Sequence, residues 1–188
     1  MCGIVGIISN QSHQKINLSL DKIAHRGPDS HGIYSHENLS LGHRRLSIID
    51  LSENGHQPMI SNCGNFVLIF NGEIYNHLDV RVKLEPKYTF KSHSDTETLL
   101  YGFIEFGSEI LNMLNGIFAF SILNKQTNEL FIARDQFGIK PLYYYSDEIL
   151  FWFSSEIKSI LPLPFHKDVA VESLENYLTF LYSFYFND

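Results

Sequence analysis

The chain has 188 residues, a formal net charge of −7 and a hydrophobic fraction of 44%, values typical of one globular domain with a buried core. The acidic balance and the scattered Lys and Arg residues argue against a nucleic-acid or anionic-membrane partner. Two cysteines cannot form a disulfide framework, and no apolar run is long enough to span a bilayer. The first residues also lack the features of a secretory signal. We therefore expect a soluble cytoplasmic protein.

The first half of the chain predicts strands that are mostly joined as hairpins. CGIVGII is typical of a buried strand, LSLDKIA has helical spacing, and HRGPDS has the Gly-Pro-Asp composition of a loop. Two strands are predicted around a polar turn at Glu37 and Asn38. FVLIF predicts a buried strand that runs into a tight turn at Asn71, Gly72 and Glu73, with a helix from near Tyr75.

The second half repeats this pattern and decides the fold class. Ser and Asp open a helix at SDTETLL, and two hairpins follow around KQTN and around SDE. SSEIKSIL and VESLENYLTFLY predict short helices. Because the hairpin strands are apolar on both faces, we expect an α+β fold with two mainly antiparallel sheets packed together and helices outside.

Cys2 is the first candidate for chemistry. If the initiator Met1 is removed, the new first residue carries both a thiol and an α-amine. An α-amine ordinarily titrates near pH ~7.7–8.0, so it is able to take the proton of a thiol and act as its general base. The alternative from position alone is a small buried residue that starts a strand, with Met1 retained.

Three further positions suit an amide substrate. A thiolate that attacks a carbonyl needs hydrogen-bond donors for the oxyanion, and the Asn71-Gly72 segment offers them, although an ordinary turn explains it equally well. Arg45 is placed to bind a carboxylate or to form a structural ion pair. Asp95 is placed to bind an ammonium or simply to support the first turn of its helix. An amide with an α-carboxylate and an α-ammonium describes glutamine.

An ordered set of motifs resembles a known family. The chain is similar to the glutaminase domain of glutamine-hydrolysing asparagine synthetases, which are class II amidotransferases with an N-terminal nucleophile. The similarity extends from Cys2 to about Tyr182. Pro28 separates it from the sugar-phosphate and purine-pathway amidotransferases. The motifs are MCGIVGI, HRGPDS, HRRLSIID, FNGEIYNH, SDTETLL, GIFAF, RDQFGIKPLYY and SSEIKSIL.

The resemblance implies a fold and a role for each site residue. The fold is a four-layer αββα sandwich of the N-terminal nucleophile hydrolase type, with HRGPDS as a loop covering bound glutamine. Cys2 is the nucleophile, and Asn71 and Gly72 form the oxyanion hole. The substrate-binding residues are Arg45, Leu46, Ser47, Ile48 and Ile49 for the α-carboxylate, and Glu73 and Asp95 for the α-ammonium.

The resemblance also implies a domain organisation. Residues 2–165 are the amidotransferase domain, and residues 166–188 are a C-terminal helix leading to a synthetase domain that is absent from this sequence. Because the sequence has no SGGLDS-type pyrophosphate loop, ATP and Mg²⁺ are expected only for that domain. The implied partners are L-glutamine and a synthetase domain, in cis or as a separate chain, with a homodimer possible. The alternatives are another ammonia acceptor, such as a sugar or a different carboxylate, and a non-catalytic module.

Several other polar residues are interpreted as structural. Arg134, Asp135 and Lys140 are assigned to a turn or a domain interface, and Cys63 to an incidental loop thiol. The nine histidines show no compact ligand spacing, and His25 and His43 are expected to support the site. We predict no metal and no cofactor in this segment.

Overall fold

A computed structural model describes residues 1–47, 53–165 and 171–181. It contains two antiparallel sheets between layers of helices. The first sheet has the strand order β2-β3-β1-β9-β8 and the second has the order β4-β5-β6-β7. The strands are β1 (Gly3–Ile8), β2 (Ser30–His36), β3 (Leu39–Arg45), β4 (Met59–Ile60), β5 (Phe66–Ile74), β6 (Gly116–Asn124), β7 (Glu129–Arg134), β8 (Tyr143–Ser146) and β9 (Phe151–Ser154).

Helices cover the outer faces of both sheets. The α-helices are α1 (Ser12–Lys22), α2 (His77–Leu84), α3 (Asp95–Phe106) and α4 (Val171–Phe180). Short 3₁₀ segments lie at Ala24–Arg26, Glu53–Gly55, Gly107–Met113 and Ile157–Ile160. In the ranges that the structure describes, no helix has the length and apolar character needed to cross a membrane.

Three apolar clusters define the four layers. Val5 and Trp152 of the first sheet pack with Leu20 of α1. Phe120 of the second sheet packs with Leu99 of α3. Between the sheets lies an inner core, whose buried members are Ile4, Leu39, Leu41, Val67, Ile69, Ala119, Leu123 and Phe153. The predicted αββα sandwich is therefore confirmed.

The hairpins and the cap of α3 follow the sequence prediction. The strand pairs β2–β3, β6–β7 and β8–β9 are all antiparallel neighbours. The Ser94 side chain accepts a hydrogen bond from the backbone N–H of Glu97, so α3 begins with the predicted polar cap. α1 begins at Ser12, earlier than the apolar spacing predicts. Its buried face includes polar residues as well as Ile16 and Leu20, so the apolar pattern does not mark its first turn. SSEIKSIL forms a 3₁₀ turn.

The predicted tight turn at Asn71, Gly72 and Glu73 is wrong. These residues lie inside β5, which stays paired with β6 until Ile74 meets Gly116. Local Asn-Gly turn preference is outweighed here by nine consecutive cross-strand pairs, whose hydrogen bonds a turn would break. A Cβ at position 72 would overlap the Ile117 carbonyl oxygen, so glycine permits the close approach of the two strands. α2 consequently begins at His77, after the strand has ended.

Asp135 organises the loop that follows β7. Its carboxylate accepts hydrogen bonds from the backbone N–H groups of Phe118, Phe137, Ile139 and Lys140 at 3.0 to 3.2 Å. Burial by itself raises the pKa of this carboxyl, but the four N–H groups outweigh burial and hold the pKa below its ordinary value. The structural interpretation of Asp135 is confirmed.

Replacing this carboxylate should destabilise the fold. We expect Asp135→Ala to lower the free energy of unfolding by about 2–4 kcal/mol, because four N–H groups lose a charged acceptor. The carboxylate's contribution is fully present above the ordinary carboxyl pKa of about 3.9, and it is lost as pH falls through the lower pKa of the folded chain. Urea denaturation at pH 7 and pH 3 measures both effects.

The control is Asp147→Ala, at an exposed turn where the carboxylate accepts backbone N–H bonds from Ile149 and Leu150. This variant should lose less stability, because water replaces its acceptor. Equal losses for the two variants would contradict the role given to Asp135.

Candidate active site

Strand alternation brings the predicted site residues to one end of the inner layer. Ile4 and Leu41 belong to the inner core, so Cys2 and Arg45, at even spacings along their strands, point to the same side. The register pairs Gly3 with Arg44, which puts Cys2 beside Arg45. In the opposite sheet Val67 and Ile69 face inward, and so do Asn71 and Glu73.

These residues line one open cleft of about 130 Å³. Cys2, Arg45, Leu46, Ser47, Asn71, Gly72, Glu73 and Asp95 all contribute to it. The structure therefore brings together every predicted site residue that it describes. Ile48 and Ile49, predicted to hold the α-carboxylate, lie outside the described residues.

The Cys2 thiol lies against the backbone that follows β3. The Leu46 N–H points at Cys2 Sγ with an N···S distance of 3.4 Å, and Sγ is 3.6 Å from the Leu46 carbonyl oxygen. The thiol is part-buried at the wall of the cleft.

A partly buried ion pair holds the Cys2 peptide. Arg26 Nε donates to the Cys2 carbonyl oxygen at 2.9 Å, and Arg26 Nη1 donates to Glu156 at 3.0 Å. His25 and Lys158 also contact the Glu156 carboxylate. Burial alone raises the pKa of Glu156, but hydrogen bonds from Lys158, Arg26 and His25 outweigh it and lower the pKa to about 2. Glu156 therefore stays charged and holds Arg26 against the nucleophile residue.

Two donors of β5 face the cleft. The Asn71 side chain is 1% exposed, and its amide Nδ2 has no hydrogen-bond partner among the described residues. Phe70 and Ile74 donate their N–H groups away from β6, to the side chains of Gln57 and Asp95. Because N–H directions alternate along a paired strand, the Gly72 N–H points to that same edge. The predicted oxyanion donors thus lie together.

The cleft also contains charged side chains of both signs, namely Arg45 and Lys140 with Glu73 and Asp95. Arg45 is 8% exposed and its side chain lies on the inner face of β3. Asp95 is buried, and its Oδ2 accepts the Ile74 N–H at 3.0 Å. Burial raises the pKa of the Asp95 carboxyl above its ordinary value, more than the Ile74 N–H and His77 lower it. Glu73 supplies a second carboxylate at the exposed rim.

The HRGPDS loop packs against the backbone at the end of β3. Pro28 forms a β-bridge with Arg45, and the Asp29 N–H donates to the Arg45 carbonyl oxygen at 3.1 Å. Asp29 Oδ2 in turn accepts the Ser47 N–H at 2.7 Å. None of the residues 25–30 lines the cleft. The loop thus supports the segment from Arg45 to Ser47. That it covers bound glutamine stays a prediction.

The cleft includes residues that the sequence did not assign to it. Among these are Met1, Gln57, Phe70, Ser94, Thr96 and Lys140. Lys140 Nζ lies 3.6 Å from the Met1 sulfur, so one end of the structural loop after β7 reaches the site. No local motif marks Gln57 or Phe70, because their role depends on contacts between distant segments.

No metal centre accompanies these groups. Across 1–47, 53–165 and 171–181, no three His, Cys, Asp or Glu side chains are grouped closely enough to hold a metal ion. The expected absence of a metal and a cofactor stays a prediction. The cleft brings together a thiol, a buried side-chain amide, a guanidinium and two carboxylates.

A four-layered αββα sandwich with a thiol, a buried side-chain amide and a guanidinium in one cleft is typical of the class of N-terminal nucleophile amide hydrolases. The model of the glutamine amidotransferase domain family matches residues 1–185. The chain therefore belongs to the glutamine amidotransferase domain family.

Similar proteins agree with this assignment. The chain is 42% identical to asparagine synthetase [glutamine-hydrolyzing] 1 of Bacillus subtilis over 188 residues, covering 96% of this chain and 30% of that protein. It is 38% identical to asparagine synthetase B of Escherichia coli, covering 87% of this chain and 30% of that protein. The predicted resemblance is confirmed, and the chain spans about 30% of the length of these relatives.

A solved structure with the same fold is the glutamine phosphoribosylpyrophosphate amidotransferase of B. subtilis, crystallised with ADP and GMP. Its TM-score is 0.73 at 23% identity, covering 85% of this chain and 43% of that chain. This likeness concerns the fold alone.

Proposed function

We propose that this chain hydrolyses L-glutamine to L-glutamate and ammonia through a γ-glutamyl thioester on Cys2. The observation that carries the proposal is the buried Asn71 amide, which lines the same cleft as the Cys2 thiol and has no partner in the described part of the chain. A buried donor without a partner costs free energy, so it is retained where a ligand supplies the acceptor.

The reaction needs Met1 to be removed first. The Cys2 α-amine then accepts the thiol proton, and Sγ attacks the carboxamide carbon of glutamine. The Asn71 Nδ2 and the Gly72 N–H donate to the oxyanion. Collapse of the tetrahedral intermediate breaks the C–N bond, and the departing nitrogen takes the proton from the amine and leaves as ammonia. Water then attacks the thioester, releasing glutamate and restoring the thiol.

The α-substituents of glutamine have complementary groups in the cleft. Arg45 is proposed to bind the α-carboxylate with the backbone of Leu46 and Ser47, and Ile48 and Ile49 continue this segment. Glu73 and Asp95 are proposed to bind the α-ammonium. Opposite charges at the two ends of the cleft orient the side-chain amide toward Cys2.

We further propose that the ammonia passes to an ATP-dependent synthetase domain that amidates aspartate. The relatives' names and the 30% coverage support this proposal. ATP and Mg²⁺ belong to that domain, which residues 166–188 would join to the amidotransferase domain of residues 2–165. The cytoplasm as location and a homodimer remain proposals of the same kind. The presence in one cleft of every predicted site residue that the structure describes favours catalysis over a non-catalytic module.

The nucleophile is tested by covalent trapping. A glutamine-like diazoketone, 6-diazo-5-oxo-norleucine, should add one equivalent to wild-type protein that has lost Met1, as measured by intact mass. Cys2→Ala should form no adduct and release no ammonia while its melting temperature stays unchanged. Cys63→Ser removes the other thiol and should label like wild type, because Cys63 lies outside the cleft. Ammonia release by Cys2→Ala would contradict the mechanism.

The carboxylate-binding role of Arg45 is tested by comparing substitutions of Arg45 and Arg44. We expect Arg45→Ala to raise the KM for glutamine by roughly 10- to 100-fold with a smaller effect on kcat, because a charged hydrogen-bonding pair in the ground state is lost. Arg44→Ala is the matched control, since Arg44 points to the outer face and pairs with Asp21 at 2.6 Å. Similar KM values for the two variants would contradict the proposal that Arg45 binds the α-carboxylate.

The raised pKa of Asp95 predicts that glutamine affinity depends on pH. The ammonium requires the ionised carboxylate, so affinity should fall as pH drops through the raised pKa of Asp95, at a higher pH than for an ordinary aspartate. Calorimetry with the non-hydrolysing Cys2→Ala protein between pH 7 and 4 measures this dependence. Asp95→Asn in the same background should bind weakly and lose the dependence. An unchanged pH profile would contradict the assignment.

A further inference from the structure

His43 lies at the boundary between the inner core and the cleft. It follows Leu41 on the inner face of β3, and its side chain is completely buried. Its backbone pairs with Ile4 of β1, two residues after the nucleophile. Its Nε2 reaches across to the second sheet and lies 3.1 Å from the carbonyl oxygen of Phe70, the residue before Asn71. One side chain thus connects the strand next to the nucleophile with the strand of the oxyanion donors.

The protonation of His43 follows from this contact. A carbonyl oxygen only accepts, so Nε2 carries the proton and Nδ1 does not. Burial, with smaller contributions from His56 and Arg45, lowers the pKa of His43 to about 3, although the Phe70 carbonyl opposes this shift. The ring is therefore a neutral donor near neutral pH.

Gln57 holds the other polar group of Phe70. Its Oε1 accepts the Phe70 N–H at 2.6 Å, and Gln57 is itself 5% exposed. The partner strand β4 pairs only with Val67 and Leu68, so it ends before Phe70. Side chains from two distant segments replace the missing strand partner at this residue. Ile74, four residues later, is fixed at the same edge by Asp95.

We propose that His43, together with Gln57, is a positioning residue that sets the distance between the Asn71-Gly72 donors and the Cys2 thiol. Neither side chain is proposed to touch the reacting atoms. The Gly72 N–H lies between two anchored residues, Phe70 and Ile74, so movement of Phe70 moves both oxyanion donors. This inference rests on the proposed glutamine hydrolysis. It adds to that mechanism the requirement that the two sheets be held at a fixed separation by a hydrogen bond.

Loss of this positioning should slow the reaction by weakening transition-state stabilisation. Oxyanion donors act when charge develops on the carboxamide oxygen, and misplacement by about 1 Å costs about 100-fold in rate. We expect His43→Leu, which keeps bulk but removes the donor, to lower kcat by about 10- to 100-fold in the full-length protein. The KM for glutamine should change by less than about threefold, because Arg45 and Asp95 are untouched. His43→Gln puts an amide N–H at a similar reach and should recover most of kcat.

A second readout separates positioning from general damage. Alkylation of Cys2 by iodoacetamide is a displacement without an oxyanion, so its rate should be equal in wild type and His43→Leu, measured by peptide mass in a Cys63→Ser background. Leu41→Ala is the matched control on the same strand and face. It should lower the melting temperature through a cavity in the inner core while keeping kcat.

Three results would overturn the proposal. These are a kcat for His43→Leu within threefold of wild type, equal loss in His43→Leu and His43→Gln, and a parallel fall in the alkylation rate. If His43→Leu does not fold, Gln57→Met keeps a similar volume but removes the acceptor of the Phe70 N–H, and it should show the same selective loss of kcat. A wild-type protein that releases no ammonia contradicts the proposed function before any variant is compared, so the two failures are distinguishable.

Discussion

The face-to-face packing of two antiparallel sheets is the constraint on which the site depends. Side chains alternate along each strand, so the register that buries Ile4 and Leu41 between the sheets also directs Cys2 and Arg45 into the same layer. A shift of one residue in β3 or β5 would turn its polar site residues to the opposite face of its sheet. Stability and chemistry therefore share one requirement, since the apolar residues that hold the sheets together also set the direction of the polar residues that follow them.

Side-chain hydrogen bonds at the edge of β5 fix the position of this strand next to the cleft. β5 continues beyond the end of β4, and a buried strand edge would leave N–H and C=O groups without partners. Gln57, His43 and Asp95 supply partners at Phe70 and Ile74, whereas the Asn71 amide has none in the described ranges. The site thus places the unsatisfied Asn71 Nδ2 between two residues, Phe70 and Ile74, whose backbone N–H groups are hydrogen-bonded. Such an arrangement holds a donor in place before the substrate arrives, which is the condition for electrostatic stabilisation of an oxyanion.

A partly buried ion pair fixes the backbone of the nucleophile residue. Glu156 holds Arg26, and Arg26 holds the Cys2 carbonyl oxygen. Burying an ion pair costs solvation free energy, and three cationic or potentially cationic partners around Glu156 offset that cost. The family to which the chain belongs and its asparagine synthetase relatives are consistent with a site built for ammonia release. The proposed partner domain would lie in the part of those relatives that this chain, which spans about 30% of their length, does not cover.

The sequence by itself determined the sheets, most hairpins, the cap of α3 and the composition of the site. These features rest on local signals: alternation of apolar residues, turn residues, a capping serine and motifs whose residues are adjacent in the chain. Only the tertiary structure decided that Asn71, Gly72 and Glu73 form a strand, because nine pairs with β6 outweigh the local turn preference. It likewise placed HRGPDS against the segment from Arg45 to Ser47, and it placed the side chains of Gln57 and His43 against Phe70. Their partners lie 13 and 27 residues away, and a hydrogen bond between segments so distant depends on how the two sheets pack.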